Sequence, residues 1–255
     1  MKIARLCLRV RNRRRLAEFY RERMGMRRFG PASTPEFGYD TAQCLLEFDE
    51  ADVEPYRPAN YDIYWKIGIT LRNLDSAVHY LRQQGCRVSD PRQFRDIGYL
   101  CHISDPEGFT VELLQQGFEG HAQPAGPGHP VGGQATLAHL TLRVTDIAAA
   151  RAFCEQDLGL RLMSIQNVED LGFCLYFFGF GAEKLPKPRL EAVENREWLW
   201  SRAYTLLELQ HVTSTGAEIR PPNADQAGFA AFSCLLGDTN RLRRVSEDEF
   251  SAPGH

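Results

Sequence analysis

The feature that most constrains the fold of this chain is an internal repeat. The segment LCLRVRNRRRLAEFYRERMGMRRF, which begins at Leu6, aligns without a gap with LTLRVTDIAAARAFCEQDLGLRLM, which begins at Leu140, and seven of 24 positions are identical. In both copies a strand-like alternation leads into a segment of helical period, which ends at Gly25 or Gly159. Self-similarity of this kind predicts a fold assembled from repeated supersecondary units.

Two weaker copies extend the pattern along the chain. The segment WKIGITLRNLDSAVHYLRQQGCRV, from Trp65, again predicts a strand, a helix and a terminating glycine. The segment FAAFSCLLGDTNRLRRVSEDEF, from Phe229, predicts a strand and a short helix, with too few residues after it for further strands. Strand-like segments lie between the copies, and D-P-E-G, which begins at Asp105, is a turn between two of them. The sequence therefore predicts an α+β fold in which one helix with three or four strands is used nearly four times.

A change in composition marks the middle of the chain. The segment GFEGHAQPAGPGHPVGGQA, from Gly117, is rich in glycine and proline and poor in apolar residues, which is typical of an interdomain linker. We therefore expect a first domain over residues 1–117 with modules one and two, and a linker over 118–135. A second domain over 136–255 is expected to hold module three and an incomplete module four.

Charge and hydropathy exclude several classes of partner. The formal net charge is -3, so the chain has no overall basic field for nucleic acid or an anionic membrane. No segment approaches about 18 consecutive apolar residues, so we expect a soluble, cytoplasmic protein. The seven cysteines show no C-x-x-C spacing and are interpreted as reduced core thiols.

Several motifs together resemble one family. HLTLRVTDIAAARAFCEQDLGL, FCLYFFGF and WLWSRAYTLLELQH are similar in order and content to the first half of glyoxalase I, and DPEGFTVELL is similar to the end of that enzyme's second half. The chain thus resembles the vicinal oxygen chelate superfamily, which includes glyoxalase I (lactoylglutathione lyase), bleomycin-resistance proteins and extradiol dioxygenases. The resemblance covers nearly the whole chain and implies tandem βαβββ modules that pair into U-shaped, mostly antiparallel sheets, with the fourth module truncated.

The resemblance also implies a metal site. In this family each module supplies one ligand near the start of its first strand and one on its last strand, which here implies His139, Glu208 and Glu112. A ring nitrogen and two carboxylates suit Zn, Ni, Fe or Mn, and Glu112 is also the expected general base. The fourth position falls on Lys66, which cannot coordinate a metal while it is protonated. The expected cofactor is therefore one divalent metal or none, because Lys66 can itself be the cation between the two carboxylates.

Substrate contacts follow from the same strands. Alternation along HLTLRV places His139 and Arg143 on one face, and Arg143 matches the family's arginine for the glutathione carboxylate. Trp198 and Trp200 are two residues apart and are expected to share a face, either in a pocket wall or in the core. The predicted substrate contacts are Arg143, Lys66, Gln210 and Trp198.

Other polar positions are interpreted as structural. The four ligand positions of modules one and four would fall on Arg5, Glu47, Ala231 and a strand that the chain does not reach, so no metal is expected there. His79 and His102 are also interpreted as structural.

Three functions remain open from the sequence. The first is a metal-dependent lyase or isomerase that acts on a thiol–aldehyde adduct or a related small molecule with vicinal oxygens. The second is a metal-free small-molecule-binding protein of the bleomycin-resistance kind. The third is an extradiol-type dioxygenase, whose usual site has two histidines and one glutamate. The expected partners are a small molecule and a second copy of the chain, which would form a homodimer through the open edge of module four.

Overall fold

The computed structural model describes residues 1–250 except 215, 217, 224 and 238–240. Within these residues the strands are β1 (Lys2–Val10), β2 (Arg27–Phe29), β3 (Glu36–Gly38), β4 (Leu45–Glu50), β5 (Tyr64–Leu71), β6 (Arg92–Phe94), β7 (Gly98–Ser104), β8 (Thr110–Gln115), β9 (Thr136–Val144), β10 (Arg161–Val168), β11 (Phe173–Gly179), β12 (Leu206–Val212), β13 (Gly228–Leu236) and β14 (Arg241–Val245). The α-helices are α1 (Arg13–Glu18), α2 (Leu74–Gln83), α3 (Ile147–Ala152) and α4 (Glu194–Trp200).

The repeat seen in the sequence is a repeat of structure. Asn12 is the N-cap of helix α1 and Asp146 is the N-cap of α3, and each of these side chains accepts a hydrogen bond from the backbone N–H three residues on. A π-helical turn extends each helix, over Phe19–Arg23 and Phe153–Asp157. The chain then reverses at Gly25 in the first copy and at Gly159 in the second. Their φ angles are +70° and +66°, a conformation that other residues rarely adopt.

The strands form two mixed sheets in which modules pair. The eight-stranded sheet has the order β10-β11-β12-β9-β5-β8-β7-β6, and the six-stranded sheet has the order β14-β13-β1-β4-β3-β2. Each sheet is built on a central antiparallel pair, β5–β9 or β1–β13. In the larger sheet both central strands also have a parallel partner, β8 for β5 and β12 for β9. The predicted α+β class with paired, mostly antiparallel sheets is confirmed.

Both sheets combine strands from the two halves of the sequence. Module two pairs with module three, and module one pairs with module four, so described residues of 1–117 and 136–250 contribute to one main apolar core. The glycine- and proline-rich segment between them is also fixed, because the ring of His129 contacts the Tyr80 hydroxyl at 3.1 Å and Val131 is fully buried. The halves are thus interleaved around the eight-stranded sheet, where the candidate site lies.

Module four differs from the sequence prediction. We predicted a short helix after its first strand, but Arg241–Val245 is a strand, β14, that pairs antiparallel with β13. The prediction was wrong because the cross-strand register buries Val245 against the sheet and leaves Arg241 exposed, and this pairing is not visible in the local sequence. Strand β14 is the edge of the six-stranded sheet within the described residues, and a homodimer through this edge stays a prediction.

All seven cysteines are unpaired thiols, and six of them are buried. None of the described helices has the length and apolar character needed to span a membrane.

Asp105 organises the turn between β7 and β8. Its Oδ1 accepts hydrogen bonds from the backbone N–H groups of Glu107 and Phe109, at 2.9 and 3.0 Å, and its Oδ2 accepts one from the Tyr20 hydroxyl at 3.0 Å. Burial raises the pKa of Asp105 from 3.8 to about 7, although these hydrogen bonds oppose the shift. The turn therefore links the first module to the β7–β8 hairpin and fixes the register of that hairpin.

The raised pKa of Asp105 predicts a pH-dependent stability. The folded state keeps a proton that the unfolded state loses, so the contribution is full below about pH 4 and is lost as the pH rises through about 7. Relative to Asp105→Asn, the wild-type free energy of unfolding should fall across this window by up to about 1.4 kcal/mol per pH unit. Urea unfolding of both proteins at several pH values measures this difference, and a difference that stays constant with pH would contradict the assignment.

Candidate functional site

Four ionisable side chains meet at the centre of the eight-stranded sheet. Lys66 lies on β5, Glu112 on β8, His139 on β9 and Glu208 on β12, and these four strands are adjacent in the order β12-β9-β5-β8. Gly68 on β5 is the register partner of both Glu112 and His139, which places those two side chains on either side of it. All four side chains are at most 7% exposed, so the cluster is largely removed from water.

The Lys66 ammonium lies between the two carboxylates. Its Nζ is 2.9 Å from Glu112 Oε2 and 3.3 Å from Glu208 Oε2. His139 Nε2 completes the group at 3.4 Å from Lys66 Nζ, 3.2 Å from Glu112 Oε1 and 3.3 Å from Glu208 Oε2. Residues from both halves of the sequence therefore share one network of hydrogen bonds and charges.

The charges of the cluster stabilise one another. Burial by itself lowers the pKa of Lys66, but the charges of Glu112 and Glu208 outweigh this effect and raise the pKa above 10.5. Burial by itself raises the pKa of Glu112, but the Lys66 ammonium, with hydrogen bonds from His102 and His139, holds that pKa well below 4.5. Near neutral pH Lys66 is thus an ammonium and Glu112 a carboxylate. Removing one member of such a buried group leaves uncompensated charge.

Two polar atoms of the cluster have unused hydrogen-bonding capacity. Glu208 Oε2 accepts a hydrogen bond from the Thr141 hydroxyl at 2.6 Å, whereas Glu208 Oε1 has no partner within the described part of the chain. The same is true of His139 Nδ1. A buried carboxylate oxygen without a donor costs free energy, so Glu208 can accept a hydrogen bond from a bound molecule.

Gly68 provides the space for the His139 ring. A Cβ at position 68 would lie less than 3.0 Å from three atoms of that ring, and no other residue comes as near. A glycine in the middle of a strand marks a place of close approach, and here the approaching group belongs to the site. The sequence WKIGITL therefore contains a positioning residue for His139.

A cavity of about 250 Å³ opens onto the cluster. Its floor is polar and includes Lys66, Glu112 and Glu208. Its walls are mostly apolar, with side chains from both halves of the sequence such as Phe94, Leu114, Phe173, Phe177 and Trp200. Concave sites with apolar walls and a few convergent polar groups are typical of small-molecule binding.

Helix α4 closes the cavity against the first half of the chain. The Trp200 indole N–H donates to the backbone carbonyl of Ile97 at 2.9 Å, and Arg196, which is buried, pairs with Asp96. These contacts hold α4 on the turn between β6 and β7. The wall that Trp200 forms is therefore fixed by both halves of the protein.

Arg143 lies beside the site but does not line the cavity. Its Nε donates to Gln210 Oε1, and its Nη1 donates to the backbone carbonyls of Ala59 and Asp62, each at 3.0 Å. Its guanidinium lies 4.6 Å from the centre of the Trp65 ring. Arg143 thus supports Gln210 and Trp65, which do line the cavity together with Lys66.

Trp198 and Trp200 do not share a face. The expectation was wrong because the segment is helical, and residues two apart in α4 lie about 200° apart around the axis. Trp200 is fully buried and lines the cavity, whereas Trp198 is partly exposed and stacks with the Arg202 guanidinium at 4.3 Å. Trp198 lies outside the cavity lining.

His102 is a site residue that the sequence interpretation missed. Its Nε2 is 3.2 Å from Glu112 Oε2, and its side chain lines the cavity. His102 and Glu112 are cross-strand partners in the β7–β8 hairpin. The signal was present in the sequence, because positions 102 and 112 are symmetric about the turn that follows Asp105.

Modules one and four contain a different arrangement. Arg5 pairs with Glu36, while Cys7 on β1 is the register partner of Glu47 on β4 and of Ala231 on β13. In the described ranges as a whole, no group of three or more His, Cys, Asp or Glu side chains is arranged to hold a metal ion.

Comparisons with known proteins agree with this fold. Residues 2–113 match the Glyoxalase/Bleomycin resistance protein/Dioxygenase superfamily. The chain is 23% identical to glyoxalase I of Saccharomyces cerevisiae over 96% of its own length and 80% of the yeast protein. It is 25% identical to a lactoylglutathione lyase of Arabidopsis thaliana, over 84% of this chain and 76% of that protein.

A solved structure shows the same architecture. The crystal structure of glyoxalase I from Zea mays matches with a TM-score of 0.61 and 18% identity, over 91% of this chain and 73% of the maize chain. The predicted resemblance is confirmed, because residues 2–113 are similar to this superfamily and the fold is similar to that of glyoxalase I.

The close approach of Gly68 to His139 predicts a specific coupling. Gly68→Ala should destabilise the protein by about 1–3 kcal/mol, because the added methyl group overlaps the ring. In a His139→Ala background the same substitution should cost much less, since the overlapping atoms are gone. A double-mutant cycle by urea unfolding measures this coupling, and equal costs in both backgrounds would show that His139 is not held by Gly68.

Proposed function

We propose that this protein is a lyase or isomerase of the glyoxalase type that acts on a small molecule with two neighbouring oxygen atoms, such as a thiol–aldehyde adduct. The observation that carries the proposal is the convergence of Glu112, His139 and Glu208 from two modules, with both carboxylates lining the polar floor of an apolar cavity. The similarity to proteins named glyoxalase I and lactoylglutathione lyase supports the same class of reaction.

The reaction that suits these groups is a proton transfer between adjacent carbons. In such an adduct a carboxylate removes the proton from the hydroxyl-bearing carbon and returns it to the neighbouring carbonyl carbon, while the hydroxyl proton moves to the oxygen of the former carbonyl. Atoms and electrons balance without any further reactant. The negative charge that develops on the two oxygens requires nearby donors or a cation, and Lys66 and His102 both line the cavity.

Glu112 is the proposed base. It lines the cavity, and Lys66 and His102 hold its Oε2. When a ligand oxygen accepts a hydrogen bond from Lys66, the pairing of Lys66 with Glu112 weakens and the carboxylate becomes more basic. Glu112 thus gains basicity when the substrate is in place.

A divalent metal is the cofactor that the family resemblance implies. His139 Nε2 lies 3.2 and 3.3 Å from the two carboxylate oxygens, close to the separation of about 3.3 Å between ligands of a tetrahedral zinc ion with bonds of about 2.0 Å. Lys66 Nζ lies among the same donors, however, and a protonated ammonium has no lone pair for a metal. With Lys66 in this position the donors fit the ammonium and do not fit a divalent metal beside it.

The second candidate is a metal-free binding protein. The low pKa of Glu112, which the Lys66 ammonium holds down against the effect of burial, makes that carboxylate a weak base in the free protein. A site that only binds needs no base, and the apolar walls would hold a ligand in either case. The two candidate functions differ in one measurable property, because an enzyme converts its substrate and a binding protein does not.

The enzymatic proposal predicts formation of a thioester from methylglyoxal and a thiol, followed by its ultraviolet absorbance, with glutathione and smaller thiols as substrates. Glu112→Gln should lower kcat by about 100-fold or more, because a positioned base contributes that much. Glu119→Gln is the matched control, since Glu119 is exposed and does not line the cavity. Absence of thioester with every thiol, with and without added divalent metals, would leave the binding protein as the function.

The position of Lys66 predicts how the site responds to metal. Lys66→His and Lys66→Met should bind about one equivalent of Zn²⁺ in equilibrium dialysis, whereas wild type and the exposed-lysine control Lys184→Met should bind none. Lys66→Met should also lose about 3–5 kcal/mol of stability, because it leaves two buried carboxylates uncompensated. Added metal should restore part of that loss. A stoichiometric metal in purified wild-type protein would contradict the ammonium as the resident cation.

A further inference from the structure

The cavity indicates the chemical class of the ligand, an inference that rests on the proposed function of the same site. We infer that the ligand is a compact, largely apolar or aromatic molecule, with a hydroxyl beside a carbonyl at one end and a negatively charged group at the other. The structure does not favour a glutathione adduct. Three features of the cavity support this inference: its polar floor, its apolar walls, and Arg92 at the end opposite the floor.

The floor calls for a hydrogen-bond donor as well as an acceptor. Glu208 lines the cavity, and its Oε1 has no partner within the described part of the chain although the side chain is only 1% exposed. A ligand hydroxyl supplies the missing donor. Lys66, which also lines the floor, supplies a donor to a neighbouring carbonyl oxygen. A ligand with a hydroxyl beside a carbonyl therefore supplies a donor for Glu208 and an acceptor for Lys66.

The apolar walls of the cavity disfavour a ligand that carries several charges along its length. Side chains such as Trp65, Phe94, Phe173, Phe177 and Trp200 surround a volume of about 250 Å³. Glutathione carries two carboxylates and an ammonium along a peptide backbone, and burying these charges without partners is costly. A flat aromatic body stacks favourably on such walls.

The family resemblance implies that Arg143 binds a glutathione carboxylate, but its guanidinium donates hydrogen bonds to other groups of the protein. Arg143 donates hydrogen bonds to Gln210 and to the carbonyls of Ala59 and Asp62, and it is 6% exposed and absent from the cavity lining. A ligand carboxylate in the cavity cannot reach its guanidinium without displacing these partners. The expected glutathione contact is therefore internal to the protein.

Arg92 is the cation available at the other end of the cavity. It lines the cavity from β6, the edge strand of the eight-stranded sheet, and its exposed guanidinium makes no hydrogen bond or ion pair with any described residue. Strand β6 is three strands from β5, which separates the backbones of Arg92 and Lys66 by at least about 14 Å along the sheet. Arg92 thus suits an anionic group at the end of the ligand opposite the hydroxyl and carbonyl.

The test is isothermal titration calorimetry of the full chain with four probes. They are 4-(hydroxyacetyl)benzoate, which has all three features, 2-hydroxyacetophenone without the carboxylate, 4-acetylbenzoate without the hydroxyl, and S-methylglutathione. We expect the first to bind at least about tenfold more tightly than each of the others, since a charge-assisted hydrogen bond contributes about 1.5–3 kcal/mol.

Matched arginine variants locate the anionic end. Arg92→Gln should weaken binding of 4-(hydroxyacetyl)benzoate by about tenfold and leave 2-hydroxyacetophenone unchanged. Arg95→Gln is the control, because Arg95 is already paired with Asp170 and should leave both affinities unchanged. Tighter binding of S-methylglutathione than of the compact probes, or equal effects of Arg92→Gln on both probes, would overturn the inference.

The outcomes also separate the ligand class from the proposed function. If the four probes bind with the expected order of affinities but no substrate is turned over, the ligand class is supported and the proposed enzymatic function is contradicted. Turnover of the methylglyoxal–glutathione adduct without binding of the compact probes supports the enzyme and defeats the ligand class.

Discussion

The Lys66 ammonium between the carboxylates of Glu112 and Glu208 is the interaction on which the rest of the site depends. Two carboxylates in a region removed from water repel each other, and each is costly to desolvate without a cation. Lys66 and Glu112 belong to the first half of the sequence, and Glu208 belongs to the second. The charges are therefore matched only when β5 of module two pairs with β9 of module three, which brings β12 within reach. Formation of the site and assembly of the eight-stranded sheet are one event.

The same cluster sets the chemistry of the cavity. The ammonium gives the floor a fixed positive charge, while two carboxylates supply acceptors and a candidate base. His102 and His139 add ring nitrogens that can donate or accept hydrogen bonds. The apolar walls keep water away, so these polar groups act on a ligand more strongly than they would in solvent. A catalyst and a binding protein would share this floor, and they differ in whether the ligand frees Glu112 from Lys66.

Much of the fold could be predicted from the sequence, because the repeat is strong. The alternation around His139 placed its side chain on the polar face correctly, since one strand period decides the direction of every side chain along it. What the sequence could not provide was longer-range pairing. Arg143 shares the face of His139, as predicted, but its carbonyl partners lie in the loop that precedes β5 and are invisible to periodicity. The helix that separates Trp198 from Trp200 was missed because its seven residues are too short for a clear helical period.

The central claim is that Lys66 is a buried, protonated ammonium. The chain has four lysines, and Lys66 is the buried one while Lys2, Lys184 and Lys187 are partly or fully exposed. Protein labelled with ¹⁵N-lysine should therefore give one slowly exchanging ammonium signal in a ¹H–¹⁵N NMR spectrum near neutral pH. The account predicts that this signal is absent from Lys66→Met and is unchanged by a metal chelator. A Lys66 side chain with the ¹⁵N shift of a neutral amine, or one whose signal changes when a bound metal is removed, would contradict it.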